Sequence, residues 1–294
     1  MPRYKGKDQI GIEYVEFPES AYGNFPSPPF TALRIGYPLE IVPPFDPEVN
    51  PVYVLRGESG VAGRPIALLS RRKNVRLRLT WLQPTMAAYW QTHAFAGKNF
   101  WMQAMIRKSD TDEFYILFTG LKYNVLRIRS SLGEPLTWIA EMIGKSMSIV
   151  DDMYSTYRQD EPTVDPWMWK DVFLQWRVSD GTYAVFPDLT DFEIIIDQRL
   201  KPNFIFNNSG SLELTSLEET ETKVTARLTA NLTNKDFLSY LLNQTNIDLQ
   251  LNMPNSKQIE LKYGKFKAVE PTIKPEDLIA QRLDYEALYF TSNF

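Results

Sequence analysis

The sequence contains no cysteine and a single histidine, His93, among its 294 residues. Without cysteine the chain has neither disulfides nor thiolate metal sites, and one histidine cannot supply a histidine-rich zinc site or a Cys–His nucleophile pair. The G-x-S-x-G elbow, the Walker loop and the dinucleotide-binding glycine pattern are also missing. We therefore predict that the protein is not an enzyme and has no catalytic residues, no metal site and no cofactor.

Long apolar runs are missing as well. No stretch approaches the roughly 18 apolar residues of a membrane-spanning helix, and the basic residues near the N-terminus are not followed by the apolar run of a secretory signal. We therefore expect the chain to be made and folded in the cytoplasm, with no membrane partner. At roughly 150 residues per domain, the length predicts two domains, and the 44% of hydrophobic residues suffices for two cores.

The one strongly basic run is RRKNVRLRLTW, residues 71–81, in a chain whose net charge is -4. Apolar residues at every second position from Val75 alternate with Arg76 and Arg78, which predicts a half-buried strand with a basic opposite face. Strong phosphate-driven binding needs roughly six to ten contacts. We therefore interpret the start of the run as a solvated or inter-subunit loop rather than a track for nucleic acid.

The same order of patterns occurs again further along the chain. In ETKVTARLTANLTNKDFLSYLLNQTN the apolar alternation from Val224 matches that from Val75 at an offset of roughly 149, and a short helix follows in both places. Six blocks match in the same order, and Gly120 falls opposite Gly264, which predicts a bulge there. We predict an N-terminal arm at 1–30 without regular structure, a first domain at 31–148, a linker at 149–168 and a second domain at 169–294.

Each half reads as several short strands separated by turns, with one short helix. The predicted fold class is therefore mainly β with a short helix per domain, as two tandem β-sandwich or barrel domains (β/α+β).

The order of these pieces resembles the tail tube proteins of long-tailed viruses of bacteria and archaea. The resemblance is carried by NPVYVLRG followed by RPIALLSRRKNVRLRLTW in the first half. In the second half it is carried by FEIIIDQRLKPNFIF followed by ETKVTARLTANL. Within that family the chain resembles the duplicated type, in which one polypeptide carries two tube domains.

The resemblance implies a structural virion protein. Six tube domains form a family ring, so a duplicated chain implies a trimeric, pseudo-hexameric ring, stacked into a tail tube that conducts DNA during ejection. The implied partners are further copies of the chain, the hub, tape measure and terminator proteins of the tail, and double-stranded viral DNA that passes without specific binding. The implied location is the virion tail, assembled in the host cytoplasm. We expect the lumen to be polar and either acidic or neutral. If Arg76 and Arg78 faced the lumen, they would argue against the tail tube hypothesis.

The resemblance also implies where rings stack. In this family the loop before the RRKNV-type strand reaches toward the next ring, which here gives the loops at 56–70 and 207–220. The predicted ring-stacking or inter-subunit residues are Arg56, Val61, Ile66, Leu68, Leu69, Arg71, Arg72, Leu212, Leu214 and Leu217. The alternative is an ordinary loop folded onto its own domain, and the arm is either an inter-subunit strap or a disordered tail.

Two other functions remain open at this point. A tail hub or distal-tail (baseplate) protein would use similar domains in a single ring. A carbohydrate-binding β-sandwich protein is an alternative from another class, because Trp167, Trp169 and Trp176 could stack on sugars.

Overall fold

The structure is a computed structural model that describes residues 12–16, 33–34, 37–42, 49–52, 67–70, 75–82, 99–109, 112–150, 166–178, 180–206, 212–231, 236–272 and 280–293. The predicted first-half helix, with His93, and most of the predicted linker lie outside these residues. No helical segment in the described ranges has the length and apolar character that crossing a bilayer requires.

Strands dominate both halves of the chain. In the first half they are β1 (Ile12–Glu16), β2 (Leu33–Arg34), β3 (Tyr37–Val42), β4 (Val49–Val52), β5 (Ala67–Ser70), β6 (Val75–Leu82), β7 (Phe100–Ser109), β8 (Asp112–Ser131), β9 (Thr137–Gly144) and β10 (Ser146–Val150). In the second half they are β11 (Phe173–Val178), β12 (Ala184–Val185), β13 (Leu189–Asp197), β14 (Leu200–Phe206), β15 (Leu212–Glu219), β16 (Lys223–Asn231), β17 (Ile247–Met253), β18 (Lys257–Thr272), β19 (Ala280–Ala287) and β20 (Tyr289–Asn293). A 3-10 turn spans Trp169–Asp171 and the helix α1 spans Asp236–Leu242.

Eight strands form a central antiparallel sheet in the order β3-β6-β9-β8-β13-β16-β19-β18. The predicted alternation in β6 is confirmed, because Val75, Leu77 and Leu79 are buried while Arg76 and Arg78 are exposed. Strand β16 alternates in the same way. One face of this sheet is therefore apolar and the other is polar.

The long strands β8 and β18 carry the chain from the central sheet into an outer layer. Their N-terminal parts pair with β7 and β10 in the first half and with β17 and β20 in the second. The core lies against the apolar face of the central sheet and contains fully buried rings such as Trp81, Trp138 and Phe192. Helix α1 contributes Phe237, whose ring stacks on Phe186. The prediction of a mainly β protein is confirmed.

The same set of strand pairings occurs in both halves. In the first half the pairs are β3–β6, β6–β9, β9–β8, β8–β7, β7–β1, β1–β2, β8–β10 and β4–β5. In the second half they are β13–β16, β16–β19, β19–β18, β18–β17, β17–β11, β11–β12, β18–β20 and β14–β15. A register shift lies in β3 between Pro38 and Glu40, and its counterpart lies in β13 between Leu189 and Asp191.

The pairings correct the sequence alignment of the two long strands by one residue. Thr119 pairs with Ser146 and Lys262 pairs with Tyr289, so the following residues, Gly120 and Tyr263, correspond. Both have positive φ, 60° and 50°, and both lie beside a bulge. The predicted bulge is present, but Gly264 is not the partner of Gly120.

The part of the predicted N-terminal arm that the structure describes, Ile12–Glu16, is a strand. The prediction that this arm lacks regular structure is wrong for Ile12–Glu16, because β1 pairs along its whole length with β7. Strand β11 pairs with β17 in the corresponding place, so β1 belongs to the pairing pattern of the first half.

Candidate functional site

The polar face of the central sheet brings together charged groups from several strands of the described part of the chain. Because side chains alternate between the two faces of a strand, charged residues at every second position share this face. The described face carries Arg76 and Arg78 on β6, Glu141 on β9, Arg127 and Arg129 on β8, Asp191 and Glu193 on β13, Lys223 and Arg227 on β16, and Arg282, Asp284 and Glu286 on β19.

A row of alternating charges crosses this face from strand to strand. Arg127 lies 3.5 Å from Glu141 on one side and 3.8 Å from Glu193 on the other. Arg227 continues the row, 3.3 Å from Glu193 and 4.0 Å from Asp284. Glu193, the carboxylate in the middle of the row, therefore lies between two guanidinium groups.

A second, shorter set of ion pairs lies beside the row. Glu286 forms an ion pair with Lys267, and Lys223 lies 3.9 Å from the same carboxylate. Exposed ion pairs add only about 0–1 kcal/mol each to stability. Their main effect is on the electrostatic potential, because a face of alternating signs has no extended region of positive charge.

Among the described residues, this face provides a charged surface with a groove at one side. Within the described ranges, no group of three or more Asp, Glu or His side chains could hold a metal ion. A groove of about 420 Å³ runs between Arg76, Arg78 and Glu141 on the sheet and Leu200 and Pro202 of β14.

Comparison with known families decides the class of protein. The sequence profile of a family described as phage tail tube protein matches residues 25–287, most of the chain. The chain belongs to the phage tail tube protein family. It is a structural virion protein of the tail, and the predicted family is confirmed.

No curated protein sequence matches this tail tube chain. Among solved structures, it is similar to a chain from the tail of an empty gene transfer agent particle with C6 symmetry. Identity is 10%, coverage is 43% of this chain and 96% of that chain, and the TM-score is 0.35. A chain from the virion of a native gene transfer agent particle gives 9% identity, coverage of 43% and 98%, and a TM-score of 0.35.

Two of the predicted ring-stacking residues of the tail tube chain are buried inside the chain. Leu214 and Leu217 pack with Ile143 and Leu200 in a small apolar cluster, which holds the β14–β15 hairpin against the end of β9. Leu68 and Leu69 lie in β5, and Leu212 lies in β15. The remaining predicted residues, Arg56, Val61, Ile66, Arg71 and Arg72, lie outside the described residues. The ring-stacking role of the set stays a prediction.

Sequence reasoning missed the charged row, although its signal is present. In VTARLTAN polar or charged residues recur at every second position, as in the basic run, and in FEIIIDQ Glu193 and Asp197 share one face although Ile195 lies between them. Only the pairing of the strands shows that Glu193 lies opposite Arg227.

A second polar network lies on the outer layer of the second half. Arg177 donates to Asp248 at 2.8 Å, and Lys262 lies 2.8 Å from Glu260. Burial alone would raise the pKa of Glu260, but hydrogen bonds, first of all from Lys262, outweigh it and hold that pKa below its ordinary value. The hydrogen bond to Asp248 raises the pKa of Arg177. These groups stabilise the pairing of β11, β17 and β18.

The tryptophans proposed for sugar stacking are used in packing. Trp167 is buried, and the ring of Trp176 lies 5.5 Å from that of Phe237 and 5.7 Å from that of Tyr240. A sugar-stacking platform requires an open aromatic face, so this geometry does not favour a carbohydrate-binding role.

Proposed function

We propose that this chain forms trimeric rings with pseudo-sixfold symmetry, which stack into a tail tube that conducts DNA with the polar face of the central sheet toward the lumen. The observation that carries the proposal is the ion-paired polar face. The sheet buries its other face in the core and leaves the charged row at the surface of this one, with both signs of charge interleaved, while the β14–β15 hairpin packs on Ile143 beside the row.

The trimer follows from a proposed duplication of one tube domain. Its support is the recurrence of the same strand pairings, including the register shift in β3 and β13. The first domain then begins at β1 rather than at residue 31, and the second begins near β11, after the predicted linker. Six domains per ring, as the family resemblance implies, require three chains.

The dimensions of such a ring suit a passage for DNA. Eight strands per chain in three copies give a barrel of about 24 strands, more than the 16–18 strands that already leave an aqueous channel in porins. At roughly 4.8 Å per strand and a tilt of about 40°, opposite backbones would lie about 45–50 Å apart.

The interleaved charges explain how DNA would pass without adhering. Each lysine or arginine that neutralises a phosphate adds to affinity by releasing a counterion. Arg127 and Arg227 are already engaged by carboxylates, and Arg78 lies opposite Glu141 in the strand register. Arg78, Arg127 and Arg227 are therefore compatible with a lumen, whereas Arg76 lies opposite Ile143 and has no carboxylate opposite it in the strand register.

The remaining interactions of the tube complete the proposal. The segments at 56–70 and 207–220, which include strands β5 and β15, contact the next ring through residues other than the buried Leu214 and Leu217, and the hub, tape measure and terminator proteins bind at the ends of the tube and within it. The tube assembles in the host cytoplasm and is carried in the virion tail. The chain catalyses no reaction.

Negative-stain electron microscopy of the concentrated recombinant protein tests this function. Stacked rings with a central pore and threefold symmetry are expected. Single rings that do not stack would favour the tail hub or distal-tail alternative. Poreless particles under all conditions, including addition of the hub protein as initiator, would contradict the proposal.

A further inference from the structure

The groove beside β14 has two walls of different chemistry. Arg76 and Arg78 of β6 contribute one wall, and Leu200 and Pro202 of β14 contribute the other, around a space of about 420 Å³. Volumes of about 300–1,000 Å³ are usual for ligand pockets. A ligand that fills this groove therefore meets guanidinium groups on one side and apolar side chains on the other.

The arginines of the groove are not neutralised by the part of the chain that the structure describes. Arg76 lies opposite Ile143, and Arg78 lies opposite Glu141. Glu141, however, forms its ion pair with Arg127, at 3.5 Å. None of the described carboxylates lies within ion-pair distance of Arg76 or Arg78. The groove therefore carries an excess of positive charge, which favours an anionic ligand.

The corresponding place in the second half of the chain has different charges. There, Thr225 lies opposite Glu286 where the first half has Arg76 opposite Ile143, so a hydroxyl replaces the cation and a carboxylate is added. The central sheet forms in both halves with these different side chains, so the fold itself does not require an arginine at position 76. The arginine pair is therefore a property of the surface of the first half alone.

The apolar wall of the groove is held in place by hydrogen bonds to β8. The amide of Leu200 donates to Oδ1 of Asn124 at 2.9 Å, and the amide of Gln198 donates to the carbonyl of Asn124 at 2.8 Å. Leu200 also packs with Ile143 in the small apolar cluster under the hairpin. Because this wall is fixed before a ligand arrives, binding does not require it to become ordered, which would otherwise reduce affinity.

We propose that this groove binds an extended acidic peptide segment in which acidic and apolar residues alternate. Side chains two apart on a strand, such as Arg76 and Arg78, share a face and lie about 6.4–6.8 Å apart along it. Carboxylates two apart on an extended peptide have the same spacing, so each can pair with one guanidinium group. The apolar residue between them points to the opposite side, toward Leu200 and Pro202.

The same groove fits nucleic acid less well. Strong binding of duplex DNA needs roughly six to ten phosphate contacts, and one chain offers two arginines here. Single-stranded nucleic acid binds by stacking its bases on aromatic rings, and no aromatic side chain is among the described residues that line the groove. An acidic peptide contacts both walls and is therefore the favoured ligand.

Fluorescence anisotropy of the labelled peptide acetyl-Glu-Leu-Glu-Leu-Glu-amide with the unassembled full chain tests the inference. Arg76→Gln/Arg78→Gln should weaken binding about ten-fold, because two ion pairs are lost. Arg129→Gln is the matched control, since Arg129 is exposed on the same face without lining the groove, and it should change the affinity by less than about two-fold. Glu141→Gln removes a like charge and should strengthen binding about two-fold, a gain that a misfolded variant would not show.

Two further probes test the apolar wall and the nature of the anion. The peptide acetyl-Glu-Ser-Glu-Ser-Glu-amide has the same charge but leaves Leu200 and Pro202 uncovered, so it should bind about three-fold more weakly. Equal binding of both peptides, no binding of either, or equal weakening by Arg129→Gln would overturn the inference. A short DNA duplex that displaces the peptide with equal affinity would overturn it too, in favour of a general polyanion surface.

The inference rests on the proposed function only for the location of the peptide, which would lie inside the tube if the polar face lines the lumen. The groove itself belongs to a single chain. Peptide binding is therefore measured without rings, and electron microscopy measures ring formation separately. A failure of one result leaves the other standing.

Discussion

Replacing Gly264 with alanine should destabilise the second half of the chain by filling space that Tyr285 occupies. A Cβ atom at position 264 would lie 2.1 Å from both Cζ and the hydroxyl oxygen of Tyr285. The ring is 1% exposed, and its hydroxyl donates to the carbonyl of Ile247 at 2.8 Å. Burial raises the pKa of Tyr285, which keeps the hydroxyl a donor.

The expected cost combines two effects. Overpacking a buried site costs typically 1–3 kcal/mol, and a displaced Tyr285 loses a buried hydrogen bond worth about 1–2 kcal/mol. We expect Gly264→Ala to cost about 3 kcal/mol, or roughly 6–12 °C in Tm for a chain of this size. Gly133→Ala is the matched control. Gly133 has φ of 85° and open space around it. Gly133→Ala should therefore destabilise the protein only through the unfavourable backbone conformation, by about 1–2 kcal/mol.

The pairings of the first half suggest a rescue. There, Leu121 and Met142 occupy the positions that correspond to Gly264 and Tyr285. In a Tyr285→Met background the added methyl group no longer meets the ring, so Gly264→Ala should cost less than about 1 kcal/mol there. Chemical denaturation of the four variants measures this coupling. An equal cost of Gly264→Ala in both backgrounds would refute the steric explanation.

Three further predictions concern the hairpin, the polar face and the outer layer. Leu214→Ala should cost about 2–5 kcal/mol in chemical denaturation because it removes a side chain from the apolar cluster under the β14–β15 hairpin, whereas the exposed control Thr215→Ala loses only the hydrogen bond to the carbonyl of Asn203 and should cost no more than about 1.5 kcal/mol. Glu193→Gln should change stability by less than about 1 kcal/mol but leave Arg127 and Arg227 less neutralised, so assembled tubes should retain DNA more strongly at low salt, with a steeper dependence on salt concentration. Because folding lowers the pKa of Glu260, its contribution to stability is present above about pH 4.5 and is lost as the pH falls through the folded pKa; Glu260→Gln should therefore flatten the acid side of the Tm profile, and an unchanged profile would exclude this carboxylate as the cause.

Periodicity predicted the elements that bury one face within the chain. The alternation from Val75 and that from Val224 correspond to β6 and β16, and the helix expected after the second is α1 at Asp236–Leu242. These predictions are correct because a strand that buries alternate residues needs apolar residues at every second position of the sequence.

Contacts between residues that are distant in the sequence were harder to predict than the strands. The sequence around Leu214 is the same whether this side chain packs within its own chain or against another ring. The structure shows that it packs against Ile143 of its own chain. The sequence alignment pairs Gly120 with Gly264 because both are glycines. The position that corresponds to Gly120 beside the bulge is Tyr263, which has the positive φ although it is not glycine. Its amide donates to Asp248 at 2.8 Å, a contact that sequence spacing does not reveal.

The junction between β8 and β13 has a kinetic consequence for assembly. Because both strands belong to one polypeptide, their encounter is intramolecular and proceeds at an effective concentration that the connecting chain sets, whatever the concentration of the protein. Half of the lateral contacts of a six-domain ring would thus form during folding of each chain and be independent of protein concentration. Ring closure would then depend on the third power of chain concentration instead of the sixth, so tubes could nucleate early in expression, when few copies of the chain exist.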